Sequence, residues 1–86
     1  MYTVKLTRQA EKTFDRLMRS QPTMGSRVAR AIDEIARDPD GGIPLRGDLK
    51  GTFKYRVGLY RILYIIERGM LLVTVIDIGH RKEVYR

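Results

Sequence analysis

The chain contains no cysteine and a single histidine, His80. Without cysteine there is no disulfide framework and no thiolate metal site. One imidazole and ten carboxylates, none clustered at ligand spacing, argue against a tightly held transition metal. No metal and no cofactor is therefore expected. No apolar run approaches the roughly 20 residues that span a bilayer. The stretch MYTVKLTRQAEK has neither the n-region nor the h-region of a signal peptide. No membrane association is expected, and the cytoplasm is the expected compartment. The sequence also shows no glycine-rich phosphate loop and no HExxH helix.

What is present is basic charge on a small domain. The 86 residues make one domain, 1–86, with a modest core. Seventeen basic residues, twelve of them arginine, face ten acidic ones, for a net charge of +7. Residues 1–45 carry a balance of +2 and residues 46–86 a balance of +5. A basic domain of this size most often meets a polyanion, and nucleic acid is the commonest. The competing reading is a solvated basic surface without a partner.

Periodicity divides the chain into an α+β order. YTVKL alternates and is β-branched, so it reads as a strand. Thr7 is placed to cap RQAEKTFDRLMRS, whose Ala10, Phe14, Leu17 and Met18 form one apolar stripe. Its other face carries Arg8, Glu11, Lys12, Asp15, Arg16 and Arg19. Pro22 suits the first turn of a second helix with the stripe Met24, Val28, Ala31, Ile32 and Ile35. DPDGG ends it. IPLRGDLKG reads as an ordered loop or short edge strand, and TFKYRV, YRILYIIE and MLLVTVIDI as three strands. Two-residue turns are expected at Gly58-Leu59 and Arg68-Gly69. The expected fold is an N-terminal strand, a two-helix hairpin and an antiparallel three-stranded meander, with the helices on one face of the sheet.

A two-residue turn at Gly58-Leu59 makes a sharp prediction. It pairs Val57 with Tyr60, Arg56 with Arg61 and Lys54 with Leu63. Because side chains alternate along a strand, Phe53, Tyr55, Val57, Tyr60, Ile62, Tyr64 and Ile66 then share the helix-covered face. Lys54, Arg56 and Arg61 share the other. Two arginines directly opposite each other repel. A phosphate accepting charge-assisted bonds from both would make the pair favourable, so this face is read as an anion site. A turn one residue longer would separate the pair and remove the argument.

Beyond the last apolar run comes GHRKEVYR, with His80, Arg81, Lys82 and Tyr85. An antiparallel meander places this segment beside the strand of Arg61. Cations and one phenol would gather there. That set suits RNA cleavage without a metal, in which a ribose 2′-OH attacks the adjacent phosphate and fixed cations meet the developing charge. Tyrosine can stack on a splayed base. A base must take the 2′ proton and an acid must protonate the leaving 5′ oxygen.

LRGDLKGTFKYRVGLYRILYIIERGMLLVTVIDIGHRKEVYR resembles the second half of a RelE-type toxin of the RelE/ParE toxin–antitoxin superfamily. The resemblance rests on Leu45-Arg46-Gly47, Lys54-Tyr55-Arg56, Tyr60-Arg61, and Gly79-His80-Arg81 through Tyr85. It implies a ribosome-dependent endoribonuclease that cuts messenger RNA in the decoding site and is neutralised by a RelB-like antitoxin. It further implies contact with ribosomal RNA and operator binding through the antitoxin. By position, Lys54 holds the RNA backbone, Arg61 stabilises the transition-state phosphate, Arg81 is a general acid or transition-state ligand, and Tyr85 stacks on the nucleotide. Arg46, Lys50 and Lys82 are candidate RNA contacts. The alternatives on this fold are a ParE-like inhibitor of DNA gyrase and a non-catalytic nucleic-acid-binding module.

The chain departs from the pattern at Arg56, where some RelE enzymes have a second lysine and candidate base. Arginine cannot serve as a base. Lys54, crowded by Arg56 and Arg61, and His80, whose side-chain type titrates near neutrality, are left as candidates. Asp77 reads as a partner that orients an arginine. Tyr55, Tyr60 and Tyr64 read as core, and the helix arginines as solvated or as contacts to ribosomal RNA.

Overall fold

The helices of the computed structural model, which describes residues 1–80, follow the apolar stripes closely. Helix α1 spans Arg8–Ser20 and α2 spans Pro22–Arg37. Thr7 caps α1 by accepting a hydrogen bond from the Ala10 N–H at 3.2 Å. Pro22 occupies the first turn of α2. Ala10, Thr13 and Leu17 of α1 face Val28, Ala31 and Ile35 of α2 and the sheet, and all six are buried. Met18, in the predicted stripe, is half exposed and lies over Gly25. A Cβ at position 25 would overlap the Met18 sulfur and crowd its backbone, so glycine is what lets α1 and α2 approach this closely.

The sheet has five strands: β1 (Thr3–Leu6), β2 (Ile43–Pro44), β3 (Thr52–Val57), β4 (Tyr60–Glu67) and β5 (Leu72–His80), in the order β1-β5-β4-β3-β2. The meander β3-β4-β5 is antiparallel, as expected. β1 closes one side by pairing in parallel with β5, and β2 is a two-residue edge strand on the other. Both helices pack on one face, so the α+β architecture read from the sequence is the architecture found. No helix among the described residues is long and apolar enough to cross a membrane.

The Gly58-Leu59 turn has two residues, with φ of 59° at Gly58. The second turn does not match expectation. Residues Arg68–Met70 form a 3₁₀ turn, Leu71 takes φ 50°, and β5 starts at Leu72 rather than Met70. The left-handed residue needed to turn the chain is an exposed leucine, not Gly69, so no glycine signal marked it.

Tyr64 ties the loop after α2 to the sheet. It is fully buried, and its hydroxyl donates to the Pro39 carbonyl at 2.6 Å. A Cβ on Gly42 would collide with that hydroxyl. Burial pushes the Tyr64 phenol up to about 12, against the opposing effect of a backbone hydrogen bond from Gly42. A phenol ionises near 10 in an unfolded chain, so this group's contribution to stability is intact below about pH 10 and disappears as pH rises toward 12. Tyr64→Phe is expected to be less stable by about 1 kcal/mol at neutral pH, because the Pro39 carbonyl loses its donor. That deficit should shrink across the alkaline window. Urea unfolding of both proteins at pH 7, 9, 10.5 and 11.5 measures it.

Candidate active site

The register of β3 on β4 places Arg56 opposite Arg61, Lys54 opposite Leu63 and Val57 opposite Tyr60, as the two-residue turn required. Lys54, Arg56 and Arg61 therefore stand on the face away from the helices. Their environments differ. Arg56 is exposed and Lys54 half-buried. Arg61 is 3% exposed.

The arginine pair also has a counter-charge within the protein. The Asp77 carboxylate lies 3.7 Å from the Arg61 guanidinium and supplies intramolecular counter-charge. Arg56 is exposed, so solvent screens its repulsion from Arg61. The Arg61 guanidinium also passes directly over Gly79, which pairs with it across β4 and β5. A Cβ at position 79 would overlap one terminal nitrogen and lie 3.4 Å from the guanidinium carbon.

His80 pairs with Tyr60, so it stands one residue out of phase with Gly79 and Arg61. Its ring meets the Tyr60 ring edge-on at 5.3 Å. The Tyr60 hydroxyl accepts a 3.4 Å hydrogen bond from Gln21, between the two helices. His80 thus begins on the helix side of the sheet, while Arg61 is on the other. Arg46 and Lys50 are exposed on the connection between β2 and β3. Arg81, Lys82 and Tyr85 lie outside the described residues.

Two cationic features were not assembled by the sequence reading. Between α1 and the outer margin of β5 runs a groove of about 670 Å³, walled by Arg8, Lys12 and Arg16 and floored by Asp77, Ile78 and Gly79. The three cations recur every four residues and so line one helix face. Gly79 belongs to both the groove floor and the seat of Arg61. At the same end of the strands but two strands over, a depression of about 200 Å³ brings Arg27 and Arg30 of α2 to Arg56 and Gly58. Helical spacing announced the α1 stripe. Only the packing of α1 over β5 placed it beside Asp77 and Gly79. Among the described residues no group of three His, Asp or Glu side chains is arranged to hold a metal ion.

A family model described as the ParE toxin of the type II toxin–antitoxin system parDE matches residues 4–85. Toxin RelG of Mycobacterium tuberculosis is 35% identical over 86 residues, covering 99% of this chain and 97% of that protein. Toxin RelE of the same organism is 33% identical over 86 residues, covering 99% and 87%. Among solved structures, the toxin–antitoxin complex RelBE2 from Mycobacterium tuberculosis contains a chain that superposes with a TM-score of 0.81 at 35% identity, covering 93% of this chain and 98% of that one. A chain of the intact RelBE toxin–antitoxin complex of E. coli gives 0.80 at 18% identity over the full length of both. The chain is a toxin of the RelE/ParE superfamily of type II toxin–antitoxin systems.

Proposed function

We propose that the protein is a metal-independent endoribonuclease that cleaves messenger RNA in the ribosomal decoding site and so arrests translation in the cytoplasm. The observation that carries this reading is the row Lys54, Arg56 and Arg61 on one sheet face, set by the β3–β4 register. The ribose 2′ oxygen attacks the adjacent phosphorus as its proton passes to a base. The bond to the 5′ oxygen breaks, and that oxygen is protonated as it leaves. The products are a 2′,3′-cyclic phosphate and a 5′-hydroxyl end. Arg61 meets the charge that develops on the non-bridging oxygens, and Arg56 holds the flanking backbone. Arg81 is the acid or a second transition-state ligand, and Tyr85 stacks on the nucleotide. His80, packed on Tyr60 across the sheet from Arg61, fits a supporting role better than that of base, and Lys54 takes the base role. Arg46, Lys50 and Lys82 contact RNA outside the reacting centre.

The α1 groove extends this surface. Arg8, Lys12 and Arg16 pair with RNA phosphates without reading sequence. Replacing all three with glutamine is expected to weaken RNA binding uniformly across sequences. Each cation removed should flatten the dependence of log affinity on log salt by about 0.7 for single-stranded RNA, or about 2 in all. All three are exposed, so thermal unfolding should change little. Filter binding of short RNAs at 50–300 mM salt tests this; an unchanged slope overturns it.

The toxins in the RelBE structures are held by an antitoxin, which supports a RelB-like antitoxin here. Such a partner would cover the basic surface and carry any operator binding. The family description in ParE terms favours a second reading, gyrase inhibition. Inducing the protein and mapping new RNA 5′ ends separates the two. Cuts inside translated codons support the nuclease, whereas altered supercoiling without such cuts supports the gyrase reading.

A further inference from the structure

We infer that the first turn of α1 and a β-bulge in β5 form a single device that aims Arg61, with Asp77 as its positioning residue. This rests on the catalytic reading of Arg61 given above.

The device begins with a change of phase. Val73 and Val75 of β5 are fully buried under the helices, and strict alternation would send Asp77 and Gly79 after them. The pairing of β4 with β5 slips between Leu63 and Tyr64: Tyr64 faces Val75, but Leu63 faces Asp77, leaving Ile76 as an extra residue. Past that bulge the faces exchange. Ile78, 2% exposed, enters the core, while Asp77 and Gly79 come to the face of Arg61. Bulges re-aim side chains in this way.

Thr7 holds the bulge in place. Its hydroxyl donates to the Ile76 carbonyl at 2.7 Å while accepting from the Ala10 N–H, and its own N–H donates to the Val75 carbonyl at 3.0 Å. The cap of α1 and the bulge of β5 are therefore built on one residue. Two residues further on, the Gln9 amide donates to one Asp77 oxygen at 3.2 Å, and the other oxygen faces Arg61 at 3.7 Å. The guanidinium has Gly79 beneath it and Asp77 beside it, so its plane and direction are set from β5 and, through Gln9, from α1.

A carboxylate beside an arginine that must meet a phosphate weakens attraction for RNA. It adds no affinity; it adds direction, and direction matters where a displacement of about 1 Å can cost up to a hundredfold in rate. A positioning role and a purely structural one thus predict different kinetics. Asp77→Asn should lower kcat for cleavage of ribosome-bound messenger RNA about tenfold while leaving KM unchanged or lower, because a negative charge has been removed. Gln9→Ala, at an exposed site, should lower kcat about threefold in the same sense. Neither loss should add to that of Arg61→Ala in the double variants, since all act through the same guanidinium. The aim itself is readable without RNA: in ¹⁵N NMR of the full-length protein, the Arg61 side-chain N–H signals should broaden or exchange faster in Asp77→Asn.

Several results would overturn the inference. One is a wild-type kcat for Asp77→Asn with only a lower unfolding temperature, which makes the carboxylate a stabilising group alone. Another is a raised KM at constant kcat, which makes it an RNA contact. Unchanged Arg61 signals would do the same. If Asp77→Asn does not fold, Gln9→Ala decides, and a wild-type rate there is fatal. Failure of the reading it rests on looks different: Arg61→Ala that cleaves as well as wild type would remove the catalytic role of Arg61, and wild type that does not cleave would remove the nuclease reading, while the NMR comparison still tests the positioning.

Discussion

Replacing Arg61 with alanine is expected to reduce RNA cleavage by about 10²- to 10³-fold, the usual loss when one fixed donor to a developing anion is removed. Growth arrest on induction should disappear with it. Arg61 is buried beside Asp77, so truncation also leaves the carboxylate without its counter-charge, and some loss of stability is expected. Arg61→Lys separates the effects. It keeps the charge near Asp77 but lacks the planar fork that meets two phosphate oxygens at once. It should fold close to wild type yet remain impaired at least tenfold. The measurement is a ribosome-dependent cleavage assay alongside thermal unfolding of all three proteins. Full toxicity in Arg61→Ala would remove the arginine from the chemistry.

The second large effect is expected at a residue with no reactive group. Gly79→Ala places a methyl where one terminal nitrogen of Arg61 now lies. The clash is with the far end of a side chain rather than with backbone, so the protein can relieve it by moving the guanidinium. Stability should fall by no more than about 1–2 kcal/mol, in the range of mild overpacking. Under the proposed nuclease function, cleavage should fall by about 10- to 100-fold, because the displaced group would no longer meet the phosphate. A normal rate in a normally folded Gly79→Ala protein would show that Arg61 does not need its present seat. Loss of folding together with activity would show that the glycine serves the strand rather than the site.

These two residues mark how far the sequence could be read. Arg61 was legible because Gly58-Leu59 makes a two-residue turn, and such a turn leaves no freedom in the pairing of the strands on either side. The opposition of Arg56 and Arg61 followed, and the structure has it. The answer to their repulsion was legible only in part, because Asp77 read as a partner of an arginine without showing which one. It comes from Asp77, whose side of the sheet depends on the bulge at Ile76. One trace of the bulge was present: the buried positions of β5 run Val73, Val75, Ile78, a spacing of two and then three. The neighbouring isoleucines concealed it, since Ile76 and Ile78 are equally apolar in the sequence.

Other differences have similar causes. The turn before β5 comes later than the glycine suggests because its left-handed residue is Leu71. The position of His80 changed meaning once its pairing with Tyr60 put it on the helix side. Its proximity in sequence to Gly79 and Arg81 had suggested membership of one cluster.

By itself the sequence determined what depends on neighbours along the chain: the limits of both helices, the caps and breakers between them, the β3–β4 hairpin, and the basic face it carries. Those follow from side-chain period and backbone preference, which act over a few residues. Only the tertiary structure decided that β1 pairs in parallel with β5, that Thr7 pins the bulge while capping α1, and that Gln9, Asp77 and Gly79 converge on Arg61. Thr7 and Gln9 reach β5 across 69 and 68 residues of chain. Contacts at that separation arise when whole elements pack, and no local pattern of residues encodes them.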